Sequence, residues 1–82
     1  MDYLISTPEQ LASAVKGRRK TLRMTQAAAA ARVGLLPKTV SALESKPEKS
    51  SLESLFKLLA ALDLELVLRP KDKAATPPRV EW

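Results

Sequence analysis

The sequence predicts a small all-α fold of four helices, with one β-strand at the C-terminal end that pairs across a homodimer. Three observations carry that prediction. Residues 25–45 hold two helix starts, Thr25 and Pro37, separated by the single turn glycine Gly34. Apolar residues recur at spacings of three and four along residues 11–22 and 52–62. From residue 64 the apolar period shortens to two.

The stretch from Gln26 to Leu43 reads QAAAAARVGLLPKTVSAL, and the rest of the chain is organised around it. Thr25 suits a cap, because its hydroxyl can accept from an unpaired N–H of the first turn. Gln26 to Val33 then forms a helix. Gly34 supplies the turn, since glycine takes positive φ without steric cost. Leu35 and Leu36 lead into Pro37, whose missing N–H has no partner at a first helical position. The next helix runs to about Ser45. Two short helices that cross closely need a small residue at the contact, and Ala30 is placed there. Ala29, Val33, Leu35, Val40 and Leu43 fall on inward positions. Lys38, Thr39, Ser41 and Ala42 face outward, small or polar, as a surface entering a major groove requires. This is the shape of a DNA-reading helix-turn-helix. A helical hairpin that binds nothing has the same punctuation, so the remainder of the chain has to discriminate.

At 82 residues the chain has room for one domain. So small a domain buries only about 60% of its unfolded surface, and a second copy would help it. The formal net charge of +5 favours a polyanionic partner, nucleic acid before an acidic membrane face. The absence of cysteine and histidine removes disulfides, thiolate sites, the commonest acid/base residue and the commonest metal ligand. No metal and no cofactor is expected, and enzymatic chemistry is not. No apolar run approaches the ~20 residues of a membrane span, and no leader is visible, so the expected compartment is the cytoplasm.

Thr7 and Pro8 open the first helix, with Gln10 at capping-box spacing. Leu11, Ala14, Val15 and Leu22 form its apolar stripe. Lys16, Arg18, Arg19, Lys20 and Arg23 place a field of one sign beside it, part of which is simply a solvated face. Residues 45–50 form a loop in which Pro47 stops the preceding helix. Ser50 or Ser51 starts the last helix, where Leu52, Leu55, Phe56, Leu59, Ala60 and Leu62 recur at helical spacing, with Phe56 expected in the core. Leu64, Leu66 and Leu68 then alternate with Glu65, Val67 and Arg69. That pattern fits a strand, while leucine and glutamate also permit a continued helix. A lone strand needs a partner, which the same strand of a second copy supplies, so Leu64, Leu66, Val67 and Leu68 are the expected dimer contacts. The folded domain is expected over residues 7–69. Residues 70–82 have the composition of a disordered tail, and Val80, Glu81 and Trp82 at its end suit a short anchor for a partner's pocket.

Gln26, Ala30, Gly34, Val40 and Leu43 occupy signature positions of the Cro and phage-repressor type of helix-turn-helix, which the chain resembles. A narrower resemblance spans nearly the whole sequence. The runs TPEQLASAVK, SKPEKSSL and LFKLLAALDLEL, the Thr25–Gln26 pair and the terminal VEW are similar to HipB-type antitoxins. That resemblance implies a cytoplasmic homodimer that represses its own operon and neutralises a HipA-type serine/threonine kinase toxin, with a terminal tryptophan able to dock on the toxin. Chains of this arrangement also pair an arginine and a glutamate across the interior, here Arg19 and Glu44.

The resulting expectation is a sequence-specific binder of palindromic operator DNA. Gln26 and the backbone near it would meet phosphate, as would Ser45, Lys46 and Lys49. Lys38 would read a guanine edge, Thr39 and Ser41 would add polar contacts, and Leu36 or Ala42 would touch a thymine methyl. Leu36 and Pro37 stand where relatives more often carry polar base-reading side chains. Two other readings share these features: a stand-alone phage- or plasmid-type repressor without a toxin, and a protein-interaction module.

Overall fold

The computed structural model describes residues 2–71. Four α-helices follow one another: α1 (Pro8–Thr21), α2 (Gln26–Arg32), α3 (Pro37–Ser45) and α4 (Leu52–Ala61), with a short 3₁₀ turn at Pro47–Lys49 between the last two. Hydroxyl caps start three of them. Thr7 accepts from the Gln10 N–H at 3.1 Å, Thr25 from Ala28 at 3.0 Å and Ser51 from Ser54 at 3.1 Å. The cap of α4 is therefore Ser51, not Ser50. The Gln10 side chain reaches back to the Ser6 N–H, which completes a capping box displaced by one residue.

Three helices end in the same way. The N–H of Met24 donates to the Arg19 carbonyl, that of Leu35 to Ala30 and that of Leu64 to Leu59, at 3.1, 2.9 and 2.9 Å. These are six-residue closing bonds of the kind that wrap a helix end through one left-handed residue. That residue is Gly34 (φ 71°) after α2, but Arg23 (φ 59°) after α1 and Asp63 (φ 55°) after α4. In each case the residue after it, Met24, Leu35 or Leu64, packs against the core, and that apolar contact helps hold the turn.

The core gathers Val15 of α1, Ala29 and Ala30 of α2, Val40 and Leu43 of α3, and Leu58, Leu59 and Leu62 at the end of the chain's helical part. Ala30, 1% exposed, is the small residue at the α2–α3 contact. Val33 and Leu35 are half-buried rather than central. Phe56 is not a core residue: it is 50% exposed, and Leu52 one turn earlier is 72% exposed. Both lie beside the buried face of α4, where the apolar stripe is wider than the three helices beneath it can cover. Ala12, which lies off the predicted stripe of α1, is buried instead.

Residues 64–71 leave α4 outside any helix, which rules out a helical continuation. The left-handed Asp63 turns the chain away, and within one copy the segment forms no ladder among the described residues. Among the described residues, a strand here has no partner in its own chain. The expected tail from residue 72 on, with its Val80, Glu81 and Trp82 anchor, lies outside the described residues. No described helix is long and apolar enough to cross a membrane.

Candidate nucleic-acid interface

Val40 and Leu43 seat α3 on the core with 0% and 3% exposure, which fixes the face it turns outward. Pro37, Lys38, Ser41, Ala42 and Ser45 are exposed on that face, and Thr39 is half-buried at its edge. At the helix start, Leu36 is 58% exposed and occupies the cap position without a side-chain cap bond. Past the other end, Lys46 is exposed just before the 3₁₀ turn and Lys49 at its last position, with Glu48 exposed between them. The Ser45 hydroxyl donates to the Ser41 carbonyl at 2.9 Å. Its proton is therefore engaged inside the helix, and the two lysines carry what cationic grip exists there.

Beneath this face lies an ion pair. Arg19 Nε donates to Glu44 Oε2 at 2.7 Å and Arg19 Nη2 to Oε1 at 3.0 Å, a two-pronged contact. The side chains are 10% and 3% exposed. Arg19 Nη1 also donates to the Met24 carbonyl at 2.8 Å, so this one guanidinium ties the α1–α2 turn to α3. Gln26 Nε2 donates to Glu44 Oε1 at 3.1 Å. Burial pushes the Glu44 carboxyl up, but the hydrogen bonds from Arg19 and Gln26 and the charges of Arg19 and Lys16 outweigh it, holding the group below its ordinary value of 4.5. The same hydrogen bond to Glu44 raises Arg19, against a smaller opposing effect of burial.

The structure thus brings Gln26, Arg19 and Glu44 together under α3, and Lys38, Ser41 and Ala42 together on its outer face. It also separates the basic run of α1 into different roles. Arg19 is interior. Arg18 Nε donates to the Leu62 carbonyl and Arg32 Nη1 to the Ala61 carbonyl, each at 2.9 Å. These two arginines cap the negative end of α4 and hold the point where the chain exits towards residue 64. Nothing in the sequence pointed to this capping role, because the acceptors lie 44 and 29 residues away.

Residues 15–68 match the helix-turn-helix family HTH_3. Antitoxin HipB of Escherichia coli O6:H1 is 34% identical, over 95% of this chain and 87% of its own length. Antitoxin HipB of Escherichia coli K12 is 35% identical, over 94% and 86%. Among solved structures, a HipA-HipB-O2-O3 complex contains a chain that superposes with a TM-score of 0.81 at 33% identity, covering 84% of this chain and 97% of that one. A HipB-O4 20mer complex gives 0.79 at 34%, covering 82% and 94%. With its helix-turn-helix intact and the likeness running through nearly its whole length, the chain belongs to the HipB family of antitoxins.

Proposed function

We propose that this chain is a cytoplasmic, dimeric repressor of its own operon and the antitoxin of a HipA-type serine/threonine kinase, performing no chemistry itself. The observation that carries the DNA-binding half is the outer face of α3, small and polar around Lys38, on a helix seated by Val40 and Leu43. Lys38 reads a guanine edge, Thr39 and Ser41 supply polar contacts, and Leu36 or Ala42 meets a thymine methyl, with Pro37 facing the DNA beside them. Lys46 and Lys49 hold phosphate, and Gln26 offers phosphate the amide hydrogen that Glu44 leaves free.

The experiment for this half compares Lys38→Ala with Lys46→Ala on operator and random duplexes across salt concentrations. Lys38→Ala is expected to cost ~1–3 kcal/mol at one base position per half-site. Lys46→Ala is expected to weaken every sequence alike and to flatten the salt slope. Equal losses on both duplexes for both variants would show that α3 does not face the groove.

The second copy is supported by apolar surface that one chain leaves open. Leu66, Val67 and Leu68 are 50%, 69% and 88% exposed, and Leu52 and Phe56 of α4 are also open. Three successive open apolar residues at the end of the described segment suit pairing with a second copy. Leu64, whose side chain already packs on the core, anchors the start of the pairing strand.

The antitoxin half is supported by the likeness to HipB chains, one of them solved with HipA, and by the terminal sequence. Trp82, with Val80 and Glu81, is the anchor for the kinase. Deleting residues 80–82 should leave operator affinity unchanged and weaken kinase binding by ~2 kcal/mol or more. Paired titrations with operator DNA and with kinase decide it. Unchanged kinase affinity would move toxin recognition to the folded domain, and no kinase binding by the full chain would favour the stand-alone repressor.

A further inference from the structure

We propose that Gln26 sets the angle of the reading helix, acting as a latch between the start of α2 and the end of α3. This rests on the reading of α3 as the DNA-reading element. The helix pair is joined at one end by the Gly34 turn, where the Ala30 carbonyl accepts from both Val33 and Leu35 at 3.2 and 2.9 Å. Two rods joined at one end and packed at one small residue can still scissor. The second tie lies at the open end: Gln26, the first residue of α2, donates to Glu44, the last residue but one of α3. Only the amide nitrogen can make this contact, because a carboxylate oxygen accepts and does not donate. Arg19 grips the same carboxylate from α1, so the latch closes on a fixed post.

The geometry makes the latch consequential. Ser41 lies about 6 Å along the helix from Pro37, so a tilt of about 10° moves this part of the reading face by about 1 Å. A displacement of that size is enough to spoil side-chain contacts that must be held to about 0.5 Å. Phosphate contacts made by flexible lysines tolerate it. The latch therefore acts on discrimination between sequences, whereas the phosphate contact of the side chain's other amide hydrogen acts on every sequence alike.

The test uses full-length wild-type protein, Gln26→Leu and Gln26→Lys. The operator is the consensus duplex that the wild-type chain selects from a random-sequence library, and the comparison duplex is scrambled. Gln26→Leu keeps the side chain's bulk and removes the donor. It is expected to lower the operator-to-scrambled affinity ratio about five- to tenfold, beyond the equal loss that the missing phosphate contact causes on both duplexes. Gln26→Lys can donate to Glu44 again and is expected to restore the ratio while raising affinity for both duplexes. A thermal melt on each variant ensures that titrations are made where all are folded. Equal loss on both duplexes in Gln26→Leu, or no loss on either, overturns the latch while leaving the repressor reading intact. A wild-type chain that selects no consensus overturns both.

Discussion

Replacing Glu44 by leucine is expected to destabilise the domain by ~3–5 kcal/mol, because it strands the Arg19 guanidinium in the interior. Three donors lose their acceptors at once: Arg19 Nε, Arg19 Nη2 and Gln26 Nε2. A chain of this length holds only about 4–12 kcal/mol of stability, so a large part of the molecules should be unfolded in mild urea. Arg19→Met combined with Glu44→Leu should be less destabilised than Glu44→Leu alone, since no buried charge then remains. Urea unfolding at neutral pH measures both. A loss below about 1 kcal/mol for Glu44→Leu would mean that water reaches the pair and screens it.

Acid gives the same pair a second test. The folded chain holds the Glu44 carboxyl below its ordinary value of 4.5, so it takes up this proton less readily than the unfolded chain does. The resulting stabilisation is complete above the unfolded value and drains away as pH falls through the lower folded value. The wild-type urea midpoint should therefore drop between about pH 5 and pH 3. Glu44→Gln, which has no proton to bind there, should show a flatter profile over the same interval. Parallel profiles would remove Glu44 from the acid response.

Those features that depend on neighbours in sequence were legible before the structure. Thr7, Thr25, Gly34 and Pro37 act within a single turn, and their chemistry names their positions. The ends of α1 and α4 were harder to read, because Arg23 and Asp63 take the left-handed conformation where a glycine would have announced it. The available signal was the apolar residue that follows each, Met24 and Leu64, which the turn presses onto the core. Phe56 was misplaced for another reason. Helical spacing says which side of α4 is apolar, but not how much of that side three short helices can cover. Arg18 and Arg32 illustrate the limit for charged side chains, since a run of cations looks the same whether it faces solvent, a carboxylate or a helix end.

Val67→Pro is expected to break the dimer and, through it, to lower operator affinity by about 10²- to 10⁴-fold. Leu64 is half-buried against its own core, Leu66 is 50% exposed and Leu68 88%, so the apolar face of this segment passes outward from the chain that makes it. Arg18 and Arg32 hold the helix end from which it departs. In a strand paired across a two-fold axis, proline at 67 removes one N–H from each copy and sets a ring where the partner backbone must approach. Two reading heads then bind separately, and the second half-site no longer benefits from the first. Affinity for a single half-site should be unchanged, because the reading head lies more than twenty residues upstream. Val67→Thr, which keeps the N–H and suits a strand, should stay dimeric. Sedimentation equilibrium at micromolar concentration and titrations with full and half operators measure the two effects together. A wild-type chain that sediments as a monomer, or a Val67→Pro variant that remains a dimer, would place the interface elsewhere, with the exposed Leu52–Phe56 face of α4 as the first alternative.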